Sequence, residues 1–221
     1  VWTTSSRATL LVIAKAPIAG HAKTRLCPPL SPGQAADLAE AALRDTLDSV
    51  LATPAPRRVL VLDGPVGDWL PEGLEVIPQR AGEFAERLAA AFEDVGGPGF
   101  LIGMDTPQVT PALLASALDA LASPANDAVI GLCEDGGYWG IGLRSPDPRV
   151  FAGVPMSTAR TGTCQLLRLE SLGLQTHILP VLRDVDCHAD ALTVAGIAPG
   201  GRFAHALALA EGRSRAAREA A

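Results

Sequence analysis

Thr9-Leu-Leu-Val-Ile-Ala14, followed at once by Lys15-Ala-Pro-Ile-Ala-Gly20-His-Ala-Lys23-Thr-Arg25, is the stretch from which the fold is read. An uninterrupted apolar run of this length, with no polar alternation, is the pattern of a strand covered on both faces. It is far short of the roughly 20 apolar residues that cross a bilayer. The basic, glycine-containing loop behind it stands where ligands bind in open α/β sheets, beyond the carboxyl end of a strand.

The same rhythm continues along the chain. Apolar strands are expected at residues 58–63, 74–78, 100–104, 127–132, 138–143 and 175–179. Helices are expected at 34–51, 83–95, 110–121 and 160–172, and the remainder reads as helical with an alanine- and arginine-rich tail. Thr110 is placed to cap its helix, with Pro111 at the first position, and Gly96-Gly-Pro-Gly99 breaks the helix before it. Alternating strands and helices predict a three-layer α/β/α domain with a mostly parallel sheet. The gap between 132 and 138 is too short for a helical crossover, so one antiparallel strand is expected inside that sheet. No repeat or linker divides residues 1–221, and a single domain is expected.

Composition narrows the function. Hydrophobic residues make up 48% of the 221, enough for a large core and too many for disorder. The acidic excess, 24 against 18, speaks against a nucleic-acid surface. Cys27, Cys133, Cys164 and Cys187 form no C-x-x-C pair, which fits reduced thiols. Residues 1–7 have no charged-then-apolar signal pattern, and no membrane partner is indicated. A cytoplasmic protein is expected.

Four segments after strands carry chemistry. Lys15, Lys23 and Arg25, with Gly20 for a tight turn, offer cations and backbone N–H groups to a triphosphate. The loop is neither G-x-G-x-x-G nor a P-loop, and a basic surface loop is the plain alternative. In Gly103-Met-Asp105-Thr106-Pro107, Asp105 can ligate a hard divalent cation or merely cap the turn. Glu134-Asp135-Gly136-Gly137 can let the backbone approach a ligand or make an ordinary hairpin. In Arg183-Asp184-Val-Asp186, acids on alternate positions face the same way, and one could complete a metal site.

In this order the segments resemble the glycosyltransferase-A-type nucleotide-diphospho-sugar transferase superfamily. More narrowly they are similar to a family of uncharacterised bacterial transferases related to the 2-phospho-L-lactate (or phosphoenolpyruvate) guanylyltransferases. The matching stretches span residues 9 to about 192: Ala14-Lys-Ala-Pro, Gly20, Lys23-Thr-Arg-Leu26, Gly103 to Pro107, Glu134 to Tyr138, and Asp184-Val-Asp186. The resemblance implies that Lys15, Lys23 and Arg25 contact phosphate. Asp105 becomes the principal metal ligand and Asp186 completes the site, with Mg²⁺ or Mn²⁺ as cofactor. Ala14, Thr106, Pro107, Glu134 and Asp135 join the substrate-binding set. Gly136 and Gly137 would lie against base, sugar or acceptor, and Gln79 and Gly82 would belong to a nucleoside-contacting segment. Two stretches depart from the pattern: Glu83-Phe-Ala-Glu86 replaces Asp-Leu-Gly-Glu, and Met156 stands where an aromatic precedes the serine.

The function expected is metal-dependent nucleotidylyl transfer from a nucleoside triphosphate to a small phosphorylated acceptor, releasing pyrophosphate. A glycosyltransferase using a nucleotide-diphosphate sugar is the alternative, although Asp105-Thr-Pro is not the usual Asp-x-Asp. A non-catalytic nucleotide-binding protein is the third, and the sequence leaves a homodimer open.

Overall fold

The computed structural model describes residues 8–219, and side-chain environments as far as Arg213. The N-terminal heptapeptide and the side chains of the basic tail beyond Arg213 lie outside the described residues.

Seven strands form one sheet: β1 (Thr9–Lys15), β2 (Arg58–Asp63), β3 (Glu75–Pro78), β4 (Gly99–Ile102), β5 (Ala128–Cys133), β6 (Tyr138–Leu143) and β7 (Thr176–Leu182). Their order is β3-β2-β1-β4-β6-β5-β7. β6 runs antiparallel to both β4 and β5, and every other pair is parallel. This is the single reversed strand expected from the short gap after residue 132.

The helices are α1 (Pro32–Ala52), α2 (Phe84–Val95), α3 (Pro111–Ala122), α4 (Thr161–Ser171), α5 (His188–Ile197) and α6 (Arg202–Glu219). Side-chain alternation divides β1 between two cores. Leu10, Val12 and Ala14 pack with α1 and α3, whereas Leu11 and Ile13 pack with Leu88 and Phe92 of α2 and Leu169 of α4. A third cluster joins the outer face of α1 to α5 and α6 through Leu38, Ala42, Val194, Phe203 and Leu207. The three-layer α/β/α architecture therefore carries extra helices outside α1.

Helix ends follow local chemistry. Ser31 and Gln34 form a capping box at α1, Glu83 and Glu86 another at α2, and Thr110 accepts from Leu113 N at 3.2 Å. Two differences from expectation have physical causes. The strand expected to stop at residue 179 continues through Pro180 to Leu182, because β7 is an edge strand where a missing N–H costs no ladder bond. The fourth strand ends at Ile102 rather than Met104; Gly103 N instead donates to Trp139 O at 3.2 Å, and Asp105 sits on a turn.

Candidate functional site

The carboxyl ends of β1, β4, β5 and β7, together with the start of the reversed β6, meet at one edge of the sheet. Two adjoining clefts open there, of roughly 380 and 400 Å³. Arg25, Phe84, Asp105, Ser157 and Asp186 line both, so the clefts are continuous.

The first cleft is cationic. Lys15, Lys23, Arg25 and Arg87 line it with His21, Gln79 and Ala14, against only Asp105 and Asp186. Lys15 is the exposed last residue of β1 and has no ion pair among the described residues. Lys23 is different: its side chain is only 8% exposed and its Nζ lies 2.6 Å from Asp105 Oδ1. It also donates to Val185 O. Its φ is +51°, left-handed backbone that costs a lysine on the order of 1–3 kcal/mol. The other non-glycine residue with such a φ is Ser157, at +58°, on the wall both clefts share. Strain at these two positions marks the site rather than the core.

The second cleft is acidic. Asp105, Asp135, Asp184 and Asp186 line it, and Arg25 is its one basic residue. The two expected metal ligands are brought together by backbone. Val185 N donates to Asp105 O at 2.9 Å, and buried Val185 packs with Leu26 and Leu30. This anchor fixes Asp184 and Asp186 beside Asp105 and sets Arg25 Nη1 2.7 Å from Asp186 Oδ2. Burial, and then the charge of Asp135, pushes the Asp184 carboxyl up to about 6. Burial followed by the charges of Asp184 and Asp135 drives the Cys133 thiol far up, so it stays protonated at neutral pH.

These groups suit a hard divalent cation. Cys133, Asp135 and Asp184 place their possible ligand atoms within 4.8 Å of one another, with Asp105 and Asp186 alongside. Crowded carboxylates, one held near 6 by repulsion and burial, would be relieved by a dication, and oxygen donors are what Mg²⁺ and Mn²⁺ prefer. A protonated thiol contributes little to such an ion.

Other expected residues are placed differently. Thr106 lines the acidic cleft with its hydroxyl buried and unpartnered, and Gly137 also faces that cleft. Gly136, expected against a ligand, is packed against its own chain. Its φ is +92°, a Cβ there would meet Ala159 O at 2.0 Å, and its O accepts from Gly162 N at 2.7 Å. Glu134 pairs with Arg183 away from both clefts. Gly20, Gly82 and Pro107 line neither cleft. Gln79 reaches the cationic cleft, but its side chain is committed: Nε2 donates to Ala14 O at 2.8 Å and Val61 O at 3.2 Å, and Oε1 accepts from Arg87 at 2.7 Å. It braces the sheet edge and holds Arg87.

Arg87 is the residue that motif reading passed over, and Asp184 was read as one of two alternate acids of which one could complete a metal site. Arg87 also lies 3.7 Å from Asp63 and stands 5.3 Å over the Phe84 ring. Its signal was a cation among the apolar positions of α2. For Asp184, the signal was its alternation with Asp186. Both departures from the family pattern, Phe84 and Met156, line the acidic cleft.

The comparisons with known proteins bear on the family and the fold. Residues 37–158 match the family described as an uncharacterised protein conserved in bacteria (DUF2064), more than half of the chain. No curated protein matches. A presumed nucleotide-diphospho-sugar transferase from Desulfovibrio desulfuricans G20 is 28% identical with a TM-score of 0.74, over 82% of this chain and 83% of that one. CMP:2-keto-3-deoxy-manno-octonic acid synthetase, complexed with CTP, is 12% identical with a TM-score of 0.59, over 87% and 99%. The protein Rv0371C of Mycobacterium tuberculosis H37Rv, in complex with manganese, is 21% identical with a TM-score of 0.51, over 85% and 97%. The last two show likeness of fold alone. The chain belongs to the DUF2064 family and has the fold of the nucleotide-diphospho-sugar transferase superfamily.

Proposed function

We propose that this member of the DUF2064 family is a metal-dependent nucleotidylyltransferase that joins a nucleoside monophosphate to a small phosphorylated acceptor. It is an enzyme of the transferase class, as its structural neighbours are. The observation that carries the proposal is the joining of a cationic cleft to an acidic one across a wall containing Asp105, Arg25 and Asp186.

A triphosphate suits Lys15, Lys23, Arg25 and Arg87, and an acceptor suits the other side of the wall. An acceptor phosphate oxygen would attack the α-phosphorus in line; the bond from phosphorus to the pyrophosphate oxygen breaks, and pyrophosphate leaves. The nucleophile is already ionised near neutral pH, so no general base is required and catalysis rests on alignment and charge. The metal, held by Asp105 and Asp186 with Asp184 and Asp135 beside them, would neutralise phosphate charge. That a fold neighbour is complexed with manganese, and another with CTP, supports the reading. Lys23 and Arg25 would shift from their carboxylates toward phosphate as the ion arrives. The assignments of Ala14, Gln79, Thr106 and Gly137 to the substrate surface belong to this same proposal.

The similarity to a presumed nucleotide-diphospho-sugar transferase favours a second reading, glycosyl transfer. The two differ in product. Incubation with each NTP, Mn²⁺ and a panel of sugar and carboxylic-acid phosphates should release pyrophosphate. Release of a nucleoside diphosphate from a nucleotide sugar, with no pyrophosphate from any NTP, would overturn the proposal in favour of the second.

A further inference from the structure

Part of the lining of the acidic cleft is apolar. Ile13, Phe84, Leu88, Leu101, Tyr138 and Met156 all line it, and all six belong to one hydrophobic cluster between the sheet, α2 and α4. Ile13, Leu88 and Leu101 are buried. Phe84, Tyr138 and Met156 are only partly buried, so each keeps surface for another group. Among these six side chains the polar group is the Tyr138 phenol, whose hydroxyl reaches Met156 Sδ at 3.9 Å; Ser157, Thr158 and Thr161 line the cleft beside them. Burial raises that phenol's pKa, so it remains a neutral donor.

A polyhydroxylated group set against these six side chains would lose its water with one phenol to replace it, at a cost for every unpaired hydroxyl. An apolar group faces no such cost, and the unbranched Met156 side chain can adjust to its shape. We therefore infer that the acceptor is amphipathic. Its phosphate lies at Asp105, Asp135, Asp184 and Asp186 through the metal, and a short alkyl chain or aryl ring occupies the pocket of Ile13, Phe84, Leu88, Leu101, Tyr138 and Met156. The inference rests on the nucleotidylyltransferase reading for the role of that ligand, and on the lining of the cleft for its chemistry. The nucleotide is assigned to the neighbouring cleft because the cations are there.

The test uses the full chain with Mn²⁺ and a series of alkyl monophosphates, from methyl to pentyl, with phenyl phosphate, followed by calorimetry. The dissociation constant should fall about fourfold per methylene until the pocket is full, the increment expected of buried CH₂ groups. Binding should persist with NTP present. Met156→Gln, nearly the same volume, should flatten the series in a protein shown by its melt to be folded. A flat series in wild type would overturn the inference. So would an equally steep series in Met156→Gln, or mutual exclusion of NTP and pentyl phosphate, which would give the pocket to the base. A steep series with no pyrophosphate release from any NTP would leave the pocket standing and sink the nucleotidylyl reading. Pyrophosphate release with a sugar phosphate, together with a flat series, would do the reverse.

Discussion

The two clefts share a wall and differ in almost everything else. One gathers four basic side chains from the end of β1, the loop after it and α2; the other gathers four carboxylates and six residues of an apolar cluster. Their construction differs too. The cationic cleft depends on the loop after β1, where Gly20 is open to solvent and a Cβ would meet nothing within 4 Å. The acidic cleft depends on close backbone contact: the 133–138 hairpin is pressed against the start of α4 by Gly136 and Gly162, and β5 is bulged between Gly131 and Leu132 just before it. Bulges next to sites re-aim the residues that follow. A cluster of cations suits a ligand that enters and leaves charged, whereas a closely packed acidic wall suits an ion and the reacting phosphate. The difference teaches where substitutions should damage binding, chemistry or the fold.

The largest effect is expected at the shared wall. Asp105→Asn should lower turnover by about 10²–10³-fold or more, the cost of a well-placed electrostatic contact, without unfolding the protein. Steady-state rates with a melt as control check this; wild-type turnover would remove Asp105 from the metal site. Next come the cations. Lys15→Ala or Arg87→Met should raise KM for the nucleotide by about 10- to 100-fold, as expected for a lost charge-assisted bond, while leaving acceptor KM close to wild type. Equal changes in both constants would blur the division between the clefts.

Stability should separate the two glycines. Gly136→Ala places a Cβ 2.0 Å from Ala159 O in left-handed backbone and should cost about 3 kcal/mol. Gly20→Ala keeps only the backbone penalty, on the order of 1 kcal/mol. Urea unfolding of both variants checks the ordering, and an equal loss would contradict the packing described for the hairpin.

A smaller effect follows from Asp184. Its carboxyl is raised to about 6, above the ~3.9 of an unfolded aspartate, so the native state holds the extra proton between those values. The metal-free protein should therefore lose stability as pH rises from about 4 through 6. Mn²⁺ should restore it at neutral pH, and Asp184→Asn should remove the slope. A melting series with no slope across that range would contradict a raised Asp184 carboxyl.

Much of this was legible in the chain. The apolar run before Lys15 marked the central strand, and the five residues between Leu132 and Tyr138 forced the reversed β6. The capping positions at Thr110 and Pro111 fixed the start of α3. Asp105 and Asp186 were readable as candidate ligands from motif order and the family resemblance. Their closeness comes from Val185, whose buried side chain and backbone N–H tie the loops together over 80 residues of sequence, and local patterns do not record such contacts. Gly136 shows the same limit. A glycine in a D-G pair looks alike whether it faces a ligand or, as here, another loop. Arg87 needed the bracing by Gln79 to be recognised, and the apolar part of the acidic cleft needed six residues from distant elements to be seen side by side.

The central claim is that a nucleoside triphosphate and a divalent ion bind together across the wall formed by Asp105. The most direct measurement is thermal denaturation of wild type and Asp105→Asn with each NTP, with and without Mn²⁺. In wild type at least one NTP should stabilise the protein in a way that requires Mn²⁺, by up to roughly 2.7 kcal/mol at ~100 times the dissociation constant, and that stabilisation should be lost in Asp105→Asn. No stabilisation of wild type by any NTP with Mn²⁺ present, or the same stabilisation in both proteins, would contradict it.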